Sequence, residues 1–195
     1  MDKTNYQDHF FFKAKTLGYR SRSALKLIEL NEKFKFLKNG LNILDVGSYP
    51  GGWCQVIQKK NNKGKTLGID LKKTEQIEGI KLIEGDFLDT NSKKKINEYF
   101  ATSIDLILSD MASNTTGNKG LDSMRTNQLC LDILDFSNNK LSKNGVVVSK
   151  FFMGEEFNEI KIKAKKNFKK IDFFKPQSSR GESRESYIHC CGLST

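Results

Sequence analysis

The stretch Asn42-Ile43-Leu44-Asp45-Val46-Gly47-Ser48-Tyr49-Pro50-Gly51-Gly52-Trp53 decides the fold. It reads as a short buried strand over 42–46, a Gly-rich turn, and a helix from about 53 to 59. Small residues in such a turn let the backbone approach a ligand and open a helix whose N-terminus faces it. The glycines are not spaced G-x-G-x-x-G, which speaks against a nicotinamide dinucleotide, and no Gly-Lys-Ser/Thr follows to make a P-loop.

Working outward, the strand–helix alternation repeats. Upstream, Ser21 or Ser23 can cap a helix reaching about Phe34. Downstream, 66–70, 80–84, 104–108 and 146–150 read as strands, and 92–100, 123–138 and 155–168 as helices. Two strands, 171–174 and 187–191, close the chain. This order predicts an α/β fold with a mostly parallel, doubly wound sheet and helices on both faces. The last two strands lie too near each other for a helical crossover, so one must be antiparallel.

Ligands of such sheets bind outside the carboxyl ends of the parallel strands. Polar residues stand at nearly every such end: Asp45 and Gly47, Asp70, Asp86, Asp110 and Lys150. If the final strand is antiparallel, Glu185 begins it on that same edge, and Asp110, Lys150 and Glu185 converge on one crevice. Asp70 could accept hydrogen bonds from ribose hydroxyls of a nucleoside. Asp86 and Phe87 could offer a carboxylate and a ring to its base.

With 33 Lys+Arg against 23 Asp+Glu, the 195-residue chain carries +10, an excess that attracts polyanions. Abundant Asn, Ile and Phe beside the Lys also fit an AT-rich genome, so the charge alone does not decide. The arginines are more selective: of five, four fall in two pairs, Arg20 with Arg22 and Arg180 with Arg184. Their planar forks suit phosphate, which makes them the expected phosphate contacts. No apolar run approaches the roughly 20 residues that span a bilayer, and no secretory signal is expected. Cys54, Cys130, Cys190 and Cys191 lack metal-ligand spacing, and two histidines cannot complete a zinc site, so free thiols and no metal are expected.

Five segments, in order, resemble the FtsJ/RrmJ-type ribosomal RNA 2′-O-methyltransferases: Gly18-Tyr19-Arg20-Ser21-Arg22-Ser23-Ala24-Leu25-Lys26-Leu27; Leu44-Asp45-Val46-Gly47 with Pro50-Gly51-Gly52-Trp53; Ser109-Asp110-Met111-Ala112; Val148-Ser149-Lys150; and Ser178-Ser179-Arg180 through Arg184-Glu185-Ser186-Tyr187. The resemblance implies a Rossmann-like class I methyltransferase fold, S-adenosylmethionine as cofactor, and a catalytic tetrad of Lys26, Asp110, Lys150 and Glu185. It implies cofactor contacts at Gly47, Gly51, Trp53, Asp70, Asp86 and Asp110. It further implies a single domain over 1–195, with an N-terminal helical segment (1–35) carrying Lys26 and a catalytic core over 40–195, acting as a monomer. Two departures stand out. Ser48-Tyr49 replaces the usual pair of alanines, and Ser113 replaces a usual proline, which should loosen its loop.

A ribose hydroxyl is a poor nucleophile, so the enzyme must position it in line and remove a proton. Lys150 is the expected base, Lys26 and Asp110 orient it and the ribose, and Glu185 supports the network. The expected partner is RNA, foremost a uridine of the large ribosomal subunit. A transfer RNA target, or a non-catalytic RNA-binding assembly factor, are the alternatives. The compartment is expected to be intracellular, in a bacterial cytoplasm or a ribosome-bearing organelle.

Overall fold

The computed structural model describes residues 3–114, 116–154 and 156–194. Its elements follow in the order α1 (Lys3–Thr16), α2 (Ser23–Phe34), β1 (Ile43–Val46), α3 (Gly52–Lys60), β2 (Thr66–Asp70), β3 (Lys81–Glu84), α4 (Thr90–Phe100), β4 (Ile104–Ser109), α5 (Lys119–Lys140), β5 (Leu141–Phe152), α6 (Phe157–Asn167), β6 (Phe168–Phe174) and β7 (Glu185–Leu193).

The seven strands form one sheet in the order β3-β2-β1-β4-β5-β7-β6. The first five run parallel, and β7 lies antiparallel to both β5 and β6. This is the predicted α/β topology, including the single reversed strand. Because strand order turns back between β1 and β4, the connections after them leave on opposite faces and open a crevice above the sheet.

Side chains alternate across each strand, so each of the two sheet faces builds its own core. Ile43, Leu106, Leu108, Val148 and Tyr187 pack with Ala24, Leu27, Leu30, Val56 and Ile57 of α2 and α3. Leu44, Val46, Ile107, Val147 and Ile188 pack with Ile96, Ile133, Leu134 and Ile160 of α4, α5 and α6.

The differences from the expected bounds have local causes. Strand β5 begins at Leu141 rather than 146 because Leu141 pairs with Ile104 before an irregularity that shifts the register to Leu106 with Val146. The last helix stops at Asn167 because Phe168 turns into the core and starts β6. Position 155, where that helix was expected to begin, lies outside the described residues, and the helix itself starts at Phe157. Cys190 is buried while its neighbour Cys191 is partly exposed, as opposite faces of a strand require, and all four cysteines are free.

Candidate active site

The turn after β1 is shaped by close backbone approach. Gly47 sits at φ +81°, and a Cβ there would stand 3.0 Å from Met111, which follows β4. Gly51 caps α3 at φ +110°, where a side chain would meet Arg20 and Ile77 at 2.9 Å. The amides opening α3, including that of Trp53, have no intrahelical acceptor and are free to donate. Beneath the turn, Oδ1 of Asp45 and Oγ of Ser48 are buried without a hydrogen-bond partner among the described residues. Burial, with Asp110 and Asp70 adding to it against a hydrogen bond from Cys54, raises the Asp45 carboxyl to about 7.

Asp70 ends β2 and accepts the amides of Tyr49 (3.0 Å) and Lys72 (2.9 Å), one on each oxygen. A carboxylate has about four acceptor positions, so each oxygen keeps one for a ligand. Exposed Asp86 accepts the Leu88 amide through Oδ1 alone. Acidic groups at the ends of β2 and β3 with free amides at α3 can hold a ligand carrying both hydroxyls and an anionic group.

Beyond β4, β5 and β7 lies a second polar cluster. Lys150 Nζ, on a side chain only 7% exposed, donates to the Asp110 backbone carbonyl at 2.5 Å and to Oδ1 of its carboxylate at 3.0 Å. Lys26, from the buried face of α2, pairs with both oxygens of Glu185 at 2.7 and 2.8 Å, and Ser179 Oγ donates to the same carboxylate at 2.8 Å. The two pairs feel each other. Burial alone would raise the Asp110 carboxyl, but the charges of Lys150 and Lys26, with hydrogen bonds from Tyr187 and Lys150, outweigh it and hold the group below its ordinary value. The four residues expected to converge from distant parts of the chain are therefore neighbours.

Tyr187 was quoted above only as part of a motif. Its ring is buried, and its hydroxyl donates to Oδ1 of Asp110 at 2.7 Å. Burial, then the Asp110 and Glu185 charges, push its pKa well above the ordinary value, so it remains a donor. A signal was available: on β7 every second residue after Glu185 shares its face.

Several expected contacts take other positions. The Phe87 ring is in the core, edge-on to Phe136, and offers no open face for stacking. The Trp53 indole donates to the Ser23 carbonyl at 2.8 Å and packs near Tyr187, so only its backbone amide is available to a ligand. Arg20 was expected on phosphate, but its guanidinium donates to the carbonyls of Glu75 (2.7 Å), Gln76 (3.1 Å) and Pro50 (3.4 Å). It clips the 75–76 loop onto the turn. Arg22 is partly buried and Arg180 and Arg184 are exposed; among the described residues none of the three is in an ion pair. Burial, then the charge of Arg180, lower the Arg22 pKa against the opposing charge of Glu185, so Arg22 feels an arginine from the far end of the chain. Ser113 tightens its loop rather than loosening it, because its amide and hydroxyl bond to Thr126 Oγ1 (3.3 Å) and the Asp122 carbonyl (3.2 Å), and proline has no amide hydrogen to give. Tyr49 projects into solvent with Lys72 5.3 Å from its ring centre. Among the described residues no group of three or more His, Cys, Asp or Glu could hold a metal, and no helix is long and apolar enough to cross a membrane.

A parallel sheet reversing at β1 and β4, with an antiparallel β7 inserted between β5 and β6, is the class I methyltransferase architecture, and this chain is of that class. The model of the FtsJ-like methyltransferases matches residues 19–193, and the chain belongs to that family. It is 49% identical to the ribosomal RNA large subunit methyltransferase E of Pelagibacter ubique, over 89% of this chain and 85% of that protein. It is 41% identical to the protein of the same name from Bartonella quintana, over 93% and 77%. A solved Plasmodium falciparum structure described as a ribosomal RNA methyltransferase superposes with a TM-score of 0.80 at 36% identity, covering 90% of this chain and 98% of that one. The protein is thus a methyltransferase, and its chemistry requires a methyl donor.

Proposed function

We propose that the protein transfers a methyl group from S-adenosylmethionine to a ribose 2′-hydroxyl of ribosomal RNA, foremost a uridine of the large subunit. Lys26, Asp110, Lys150 and Glu185 are its catalytic tetrad in this reading. The observation that carries it is the double attachment of Lys150 Nζ to Asp110, through the carbonyl and the carboxylate. A neutral lysine amine has two hydrogens and one lone pair. With both hydrogens directed at Asp110, the lone pair is left facing the crevice, where it can accept the proton of a ribose hydroxyl.

The cofactor fits the turn that Gly47 and Gly51 shape. Asp70 would take its ribose hydroxyls, Asp86 its adenine amino group, and the α3 amides with Gly47 its methionine end. When bound, it supplies a methyl group on a sulfonium, an electrophile that needs no further activation. The Asp110 carboxylate, which also accepts from the Tyr187 hydroxyl and feels the Lys26 charge, keeps Lys150 oriented and balances the ammonium that forms when the proton arrives. The Lys26–Glu185 pair fixes the opposite wall. The names of the relatives and the +10 charge support ribosomal RNA as the substrate.

Methyl-labelled S-adenosylmethionine offered with large ribosomal subunits or transfer RNA, each from a strain lacking its own modification, tests the reading. Label on a large-subunit ribose, mapped by resistance to alkaline hydrolysis and lost in Lys150→Ala, is the expected result. Label on transfer RNA would move the target while keeping the chemistry. Cofactor binding with no RNA labelled would replace the enzyme reading with that of an RNA-binding assembly factor.

A further inference from the structure

The segment 175–184, between β6 and β7, delivers Glu185 to the site and exposes Arg180 and Arg184, yet it contains no helix or strand of its own. Lys175 Nζ closes it internally on the carbonyls of Gly181 (3.3 Å) and Ser183 (2.7 Å), and Glu29 ties its start to α2. The two oxygens of this carboxylate, on α2, accept the backbone amides of Gln177 (2.5 Å) and Ser178 (3.0 Å), 148 and 149 residues further along the chain. Arg22, at the N-cap of α2, precedes Lys26 and Glu29 by four and seven positions, so the three form one stripe along a single side of the helix. Each member of the stripe faces that segment or the first residue of β7 that follows it. Lys26 binds Glu185 and, through that carboxylate, Ser179. Glu29 binds the amides of 177 and 178, and Arg22 lies close enough to Arg180 for the two charges to interact.

The guanidinium of Arg22 feels the charge of Arg180 more than the opposing charge of Glu185, so a net repulsion acts between α2 and the segment. Something must hold the segment against that repulsion. Hydrogen bonds from backbone amides to a carboxylate are among the stronger ones a protein makes, and a pair of them fixes both position and orientation. A phosphate diester is the ligand chemistry that would relieve the repulsion, because its two free oxygens can accept from both forks.

We propose that Glu29 is a positioning residue that latches segment 175–184 to α2, so that Arg22 and Arg180 stand together as a clamp for one RNA phosphate beside the tetrad. The proposal rests on the RNA substrate argued above. Glu29 touches no reacting atom; it acts through Arg180.

The test compares wild type, Glu29→Gln, Arg180→Ala and the double variant. Glu29→Gln keeps the side-chain shape but turns one acceptor into a donor facing an amide. Amide hydrogen exchange should speed up about tenfold or more at Gln177 and Ser178, with the core strands unchanged. The KM for RNA should rise about tenfold while kcat and the cofactor Kd stay within about twofold. In the Arg180→Ala background, Glu29→Gln should add less than about twofold, since its target is already gone. Faster exchange with an unchanged KM, or effects that multiply in the double variant, would overturn the clamp. If wild type binds cofactor but labels no RNA, the reaction reading fails separately. Retention of RNA on a filter by wild type, compared with Arg180→Ala and Glu29→Gln, then still decides the clamp: equal retention by all three overturns it.

Discussion

Tyr187 and Lys150 donate to the same oxygen, Oδ1 of Asp110, at 2.7 and 3.0 Å. They sit opposite each other on the antiparallel pair β5–β7, where Lys150 is the register partner of Tyr187. The reversal of β7 is what makes this possible, because it returns a strand beginning to the edge where β4 and β5 end. Tyr187→Phe removes the hydroxyl and keeps the buried ring. A lost hydrogen bond to a charged group is worth about 1.5–3 kcal/mol, so kcat should fall about tenfold or more. The cofactor Kd should not move, and isothermal titration of both proteins checks this.

Lys150→Ala should fold, bind cofactor and lose methyl transfer by about 10²–10⁴-fold, the usual contribution of a general base. Lys150→Arg should be no better, since a guanidinium does not give up its proton. Single-turnover rates with saturating cofactor measure both; full activity of the arginine variant would exclude proton removal by this residue.

The Lys26–Glu185 pair is nearly buried, with side chains 10% and 11% exposed. Glu185→Ala would strand the Lys26 charge and should destabilise the fold by about 3 kcal/mol. A double Lys26→Met, Glu185→Leu variant should recover most of that stability and none of the activity. Denaturant midpoints beside methylation rates separate the two effects.

The two arginines of the 20–22 segment should behave differently. Arg20→Ala frees three backbone carbonyls around the turn, so it should lower the thermal midpoint and weaken cofactor binding. Arg22→Ala should leave both in place and reduce the salt dependence of RNA binding by about one phosphate contact. RNA titrations at several salt concentrations supply the slope.

Asp45 predicts a pH dependence of stability. Its carboxyl is raised from 3.8 to about 7 in the folded protein, chiefly by burial. Below 3.8 it is protonated whether folded or not. As pH rises from there to about 7, only the unfolded chain releases the proton, so stability falls by up to roughly 4 kcal/mol. Above about 7 the loss is complete. Asp45→Asn keeps an acceptor for the Cys54 thiol, which lies 3.1 Å from Oδ2, and removes the titration. The variant should match wild type near pH 4 and exceed it near pH 8 in thermal midpoint; a lower midpoint at the higher pH would count against the raised carboxyl.

Periodicity and turn chemistry are local properties, and by themselves they determined much of this protein. The alternation of apolar runs, the Gly-rich turn at 47–52 and the closeness of the last two strands specified a doubly wound sheet with one strand reversed. They also specified which polar residues end its strands, because a strand's direction follows from its place in the order. Asp110, Lys150 and Glu185 were legible for that reason, and Lys26 through the motif it sits in. What a side chain touches is a different matter, since partners come from segments with no fixed separation along the chain. Only the tertiary structure assigned Phe87 to the core, Trp53 to Ser23, and Arg20 to the carbonyls of 50, 75 and 76. It alone brought Arg22 within the electrostatic reach of Arg180 and put Glu29 under the amides of 177 and 178. A guanidinium has the same five donors whether phosphate or carbonyl oxygens surround it. Composition and spacing state that capacity; the packing of α2 against α3 and the closing segment states how it is used.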